Sequence, residues 1–144
     1  MADADANLLR RWFEEVWNQG RTEVAAELMA EDAAVYGIGG GTDMVRGPAE
    51  FLEFYKQLKG AFPDIRFTVE QTIAQGDIVA VRWTARATHL GDHLGPPATN
   101  NRVTVTGMGF ARVKDGKMVE GWNNWDMMGL MHMIGATPHA AVVP

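Results

Sequence analysis

The sequence predicts an α+β domain in which helices pack on one face of a curved, mostly antiparallel sheet. Three observations predict it. Apolar residues recur at helical spacing through the first sixty or so positions, the period changes to two from Ile65 onward, and glycine-bearing turns separate the alternating runs. With 144 residues and 47% hydrophobic composition, one compact domain spanning 1–144 has the material for a full core. No internal repeat or linker divides it.

Leu8, Leu9, Trp12, Phe13, Val16 and Trp17 mark the buried stripe of a first helix, with Arg10, Arg11, Glu14 and Glu15 opposite and an end near Gly20. A short second helix from Thr22 turns Ala25, Leu28 and Met29 inward, and a brief strand follows from Ala33 to Tyr36. The run Gly37-Ile38-Gly39-Gly40-Gly41 breaks regular structure. Gly47-Pro48 then supplies an N-cap and first-turn proline for a third helix carrying Phe51, Leu52, Tyr55 and Leu58, which stops before Phe62-Pro63-Asp64.

In the second half, Ile65, Phe67, Val69 and Ile73 alternate with Arg66, Thr68, Glu70 and Thr72 as a half-buried strand. Gln75-Gly76-Asp77 turns the chain into a strand from Ile78 to His89, whose apolar face runs Val79, Val81, Trp83, Ala85, Ala87 and ends on His89. A Gly/Pro/Asn-rich loop leads to a strand from Val103 to Val113, and Asp115-Gly116 makes the hairpin into a last strand. The methionines Met127, Met128, Met131 and Met133 read as adaptable packing at the sheet's end, and the tail from about residue 135 as loosely held.

Composition removes several function classes. A net charge of -5 without Lys/Arg clusters argues against nucleic-acid or anionic-membrane partners, which need a concentrated basic surface. The absence of cysteine excludes a disulfide framework, thiolate catalysis and Cys-ligated zinc. There is no signal-peptide pattern at the N-terminus and no apolar run of membrane-spanning length, so a cytoplasmic location is expected. No metal is expected either: His89, Asp92 and His93 share a loop region without the further ligands or i, i+4 placement of zinc hydrolases. The glycine run from Gly37 lacks the order and the ensuing helix start of a phosphate loop.

Several spaced motifs agree in order: Val16-Trp17-Asn18-Gln19-Gly20, Ala61-Phe62-Pro63-Asp64-Ile65, Gln75-Gly76-Asp77 with Arg82-Trp83, Thr88-His89, and Asp115-Gly116-Lys117 through Glu120, Trp122 and Asp126. Together they resemble the SnoaL-like polyketide cyclase (ester cyclase) family of the NTF2-like superfamily, from the first helix to Gly135. The resemblance implies a cone-shaped fold around a deep apolar cavity, no cofactor, and assembly as a homodimer or homotetramer through the outer sheet face. It also implies that Asp126 is the general base. Departures from the family pattern at Pro96-Pro97-Ala98-Thr99-Asn100-Asn101 and at Gly39-Gly40-Gly41 leave the substrate open.

The last strand ends on Asp126, a carboxylate expected to be boxed in by two indoles, Trp122 and Trp125. Apolar walls would lift a carboxylate toward neutrality and make it an effective base, whereas a strand-end Asp can equally cap the next turn. Alternation puts Glu120, Trp122, Asn124 and Asp126 on one face, with Trp125 opposite, so Trp122 can wall a substrate or serve as core, and Asn124 can donate a hydrogen bond. His89 can assist proton transfer or polarise a carbonyl, or it can be a structural cap. Arg112 faces away from Asp126 if Asp115-Gly116 forms a tight two-residue turn, and shares its face if a three-residue bulged loop pairs it with Met118.

Trp12, Phe13, Trp17, Tyr36, Tyr55 and Phe110 complete the expected substrate-contacting set, which suits a small apolar or aromatic carbonyl compound, flat and polycyclic or long-chained. The expected reaction is proton abstraction next to a carbonyl followed by intramolecular aldol ring closure. Isomerisation, dehydration and epoxide opening are alternatives for the same carboxylate, although Arg82 has no Asp two residues on for the epoxide version. A non-catalytic small-molecule binding module is the alternative from a different class.

Overall fold

Residues 2–39 and 43–135 are described by the structure, a computed structural model; the tail expected to be loose and residues 40–42 of the glycine loop lie outside them. The chain begins with α1 (Ala2–Arg11), which runs directly into a π-helical segment, Trp12–Asn18. Widening the helix there leaves Trp12, Val16 and Trp17 all buried. After α2 (Val24–Leu28) come β1 (Met29–Tyr36) and the three-residue β2 (Met44–Arg46), a strand too short to show a sequence period. In α3 (Gly47–Ala61), Arg46 rather than Gly47 holds the N-cap position. Gly47 has φ +73 with its backbone against the Glu31 carbonyl, so only a residue without Cβ fits.

The remaining elements are β3 (Arg66–Gln75), β4 (Ile78–Thr88), β5 (Arg102–Lys114), β6 (Lys117–Trp125) and α4 (Met127–Met133). They complete one six-stranded sheet in the order β2-β1-β6-β5-β4-β3, antiparallel except where β1 runs parallel to β6. The fold is the expected α+β, NTF2-like arrangement, with the helices on the inner face of a curved, unclosed sheet. The methionine run forms α4, N-capped by Asp126, with Met131 and Met133 packed against the core at the end of the sheet as expected.

Two extra residues decide which side chains meet the helices. In β3 the register shifts between Val69, opposite Trp83, and Gln71, opposite Arg82, so Glu70 is inserted and every later side chain changes face. Phe67 is buried as expected, but Ile73 is 60% exposed on the outer face, a correction to the simple alternation. In β6, Val113 pairs with Met118 but Arg112 pairs with Glu120, leaving Val119 as the extra residue. Beyond it, Gly121, Asn123 and Trp125 turn inward and Trp122 and Asn124 outward.

The core is largely aromatic where the helices meet the sheet. Trp17 packs on Tyr55 and Phe67 with ring centroids 4.7 and 5.0 Å apart, and Trp12 lies 4.7 Å from Phe51. Such pairs contribute roughly 0.5–1.5 kcal/mol each beyond the area they bury. Asn18 docks the π-helical segment on β3: its amide donates to the Phe67 carbonyl (2.9 Å) and accepts from the Phe67 N–H (2.7 Å), in the manner of a further strand. No helix among the described residues is long and apolar enough to cross a membrane.

Candidate active site

Between the helices and the inner face lies a cavity of about 120 Å³. Trp12, Phe13, Trp17, Phe51 and Phe67 line it on the helix and β3 side, and Val81, Trp83, Gly109, Ala111, Asn123 and Trp125 on the sheet side. Its floor is low because β5 places glycine at alternate positions. Gly107 pairs with Trp83 and Trp125, and Gly109 with Val81 and Asn123. A Cβ at Gly107 would collide with the Trp83 ring, so the indole lies across that glycine. An apolar cavity of roughly 150 Å³ accepts benzene, so this one is sized for a single ring.

Polar groups are few in this wall. Asn123 is the polar side chain, and its Oδ1 lies over Gly109. Trp83 Nε1 is buried with no hydrogen-bond partner among the described residues. The Trp125 indole N–H, by contrast, is satisfied: it donates to the Ile38 carbonyl at 2.9 Å and pins the loop after β1 against the cavity. No carboxylate, imidazole or amine lines the cavity among the described residues.

The opposite side of the same strands forms an open groove of about 800 Å³, lined by Ile73, Arg82, Met108, Phe110, Trp122, Asn124 and Asp126 among others. Asp126 is the one carboxylate on either lining among the described residues. It sits exposed at the N-cap of α4, where Oδ1 accepts the Gly129 N–H at 2.8 Å. Trp122 and Trp125 both precede it in sequence and leave on opposite faces, so the expected pair of indoles does not box it in.

The residues expected at one site are therefore divided. Trp12, Phe13 and Trp17 line the inner cavity, Asp126 and Asn124 the outer groove, and Trp122 and Phe110 border both. Trp122 and Phe110 pair across strands with their side chains on the outer face, 36% and 56% exposed, and the extra residue at Val119 sets that face for Trp122. Tyr36 stacks on Trp122 on that same face (6.4 Å, 20°) and lines neither space.

Tyr55, His89 and Arg112 also line neither space. The Tyr55 hydroxyl donates to the Val16 carbonyl at 3.1 Å, and burial pushes its pKa up. His89 is fully buried against Phe62 with Nδ1 accepting from the Thr99 N–H (3.3 Å) and 3.0 Å from the Thr99 hydroxyl, so it braces the loop after β4. Of the two hairpin forms foreseen for Arg112, the tight two-residue turn occurs, but neither expected partner, Val119 or Met118, is the one it meets. Asp115 and Gly116, both at positive φ, make the tight turn, and the bulge after it pairs Arg112 with Glu120. The guanidinium bonds Asp77 (2.9 Å) and Glu120 (2.9 Å), and these partners raise its pKa.

Asn123 and Trp125 were not singled out by sequence as cavity residues. The signal was Gly107-Met108-Gly109, since alternate glycines on one strand leave room that large or polar neighbours on the next must fill.

The family model of the SnoaL-like polyketide cyclases matches residues 7–134. The chain belongs to this family. Among solved structures, the candidate hydroxylase AclR of Streptomyces galilaeus is 27% identical with a TM-score of 0.83, the alignment covering 96% of this chain and 89% of that one. The candidate polyketide cyclase IdmH of Streptomyces antibioticus is 29% identical with a TM-score of 0.77, covering 91% and 98%. A SnoaL-like protein of Jannaschia sp. CCS1, 24% identical with a TM-score of 0.85 and 95% coverage of both chains, shares the fold. Comparison with curated proteins gives no match. In this SnoaL-like chain the apolar cavity under the helices and the acidic group thus lie on opposite sides of one sheet.

Proposed function

We propose that the protein is a cofactor-independent cyclase of small apolar or aromatic carbonyl compounds. Asp126 removes a proton next to a carbonyl, and the enolate attacks a second carbonyl of the same molecule to close a ring. The observation that carries this reading is the apolar cavity of a SnoaL-like chain, where confinement replaces part of the entropy cost of ring closure. Asp126 directly follows cavity-lining Trp125 and has Oδ2 free of the cap hydrogen bond, so it meets a substrate that extends past Trp125 into the groove. Self-association through the exposed apolar residues of the outer face, Ile73, Met108, Phe110 and Trp122, belongs to the same proposal.

The test is exchange of the α-protons of propiophenone in D2O, followed by NMR, which reads proton abstraction without requiring ring closure. Asp126→Asn is expected to lower the enzyme-dependent rate by about a hundredfold or more while leaving the circular dichroism spectrum unchanged. A folded Asp126→Asn variant with an undiminished rate would remove Asp126 from the mechanism. A second reading, a non-catalytic binding module, is favoured by the cavity wall itself, which holds no acid or base among the described residues. Saturable propiophenone binding with no exchange above buffer would select it.

A further inference from the structure

A buried N–H without an acceptor is costly, because the group has lost water and gained nothing in return. Trp83 Nε1 is such a group, in a side chain only 5% exposed, and the residue belongs to the cavity wall. Its ring lies across Gly107, between β4 and the Trp125 side of β6, with the Trp83 and Trp125 centroids 6.5 Å apart. Two residue pairs along the same strands, Asn123 Oδ1 stands over Gly109, and this amide makes no hydrogen bond among the described residues. Gly109 carries no side chain to fill the cavity floor there.

We infer that Trp83 Nε1–H donates a hydrogen bond to the carbonyl oxygen of a neutral, single-ring aromatic ligand seated on the Gly109 floor of the cavity. The wall supplies a neutral donor and no cation among the described residues, so an uncharged carbonyl suits it better than a carboxylate, which would enter without a counter-charge. The volume sets the one-ring size. The assignment rests on the cavity being the ligand site of the proposed cyclase, but it does not rest on Asp126.

Acetophenone and α-methylstyrene test it, since they share shape and differ by an oxygen in place of a methylene group. The protein has five tryptophans, and the indole N–H resonance lost in Trp83→Phe identifies that of Trp83 in 15N-labelled protein. Acetophenone is expected to move that resonance and to bind about fivefold or more tighter than α-methylstyrene, the size of one net hydrogen bond. Trp83→Phe should bring the two affinities together. Equal affinities in the unaltered protein, or a shift confined to another indole, would overturn the inference, and that comparison needs no variant to fold. An Asp126→Asn protein that exchanges normally would end the base assignment yet leave the acetophenone preference in place, so the two failures are distinct.

Discussion

On the inner face of β5 and β6 the chain presents Gly107, Gly109 and Ala111 beside Trp125, Asn123 and Gly121; on the outer face it presents Met108, Phe110 and Arg112 beside Asn124, Trp122 and Glu120. Both faces carry an indole and an amide from β6. The inner indole and amide lie under a roof of helices and meet small residues, which leaves an apolar cavity where the Trp125 N–H is satisfied by Ile38 and the Asn123 amide is unpaired among the described residues. Their outer counterparts meet large, exposed neighbours and leave an open groove with the carboxylate at its end. What separates binding chemistry from acid–base chemistry here is therefore the face a residue occupies, and Val119 sets that face for most of β6.

Inserting an alanine directly after Val119 tests this most severely. With the hairpin and its one-residue bulge kept, the insertion would move every later residue of β6 one position along, aim Trp122 and Asn124 at the helices and expel Asn123 and Trp125, so we expect a loss of roughly 4 kcal/mol or more, read by urea unfolding. A variant that keeps its stability and its cavity would show that the phase of β6 does not set the cavity wall.

The next largest difference compares two tryptophans. Trp17 is 4% exposed and touches Phe51, Phe54, Tyr55 and Phe67, so Trp17→Ala should cost about 3–5 kcal/mol. Trp122→Ala should cost about 1 kcal/mol or less in the monomer, because its indole is already partly in water. Equal losses by urea unfolding would mean that the outer face is covered, and a concentration-dependent midpoint for Trp122→Ala would locate the cover in a second copy.

The smallest effect concerns His89, which braces Thr99 without lining either space. His89→Gln should lower stability by about 1–2 kcal/mol through the loss of the ring's packing against Phe62 and its bonds to Thr99. Propiophenone exchange should stay within a factor of two of the unaltered rate. A hundredfold loss of exchange would return His89 to a proton relay with Asp126.

Much of this protein was readable from residue pattern alone. Helical spacing located α1 and α3, alternation located β3 to β6, and Asp115-Gly116 located the last turn, because each signal is local and repeats within a few residues. The spaced motifs named the family for the same reason. Asp126 was legible as a special residue, and its cap on α4 is the local alternative that its position allowed. Tertiary structure decided what alternation cannot: a single inserted residue reverses every later side chain, and whether the insertion occurs depends on pairing with the neighbouring strand rather than on the strand's own sequence. Glu70 turned Ile73 outward, and Val119 exchanged Trp122 and Asn124 for Asn123 and Trp125 in the cavity. Sequence alone determined the fold and which residue types were at hand. The sheet's register determined which of them meet, because side-chain direction in a strand alternates with each residue and only pairing fixes its phase.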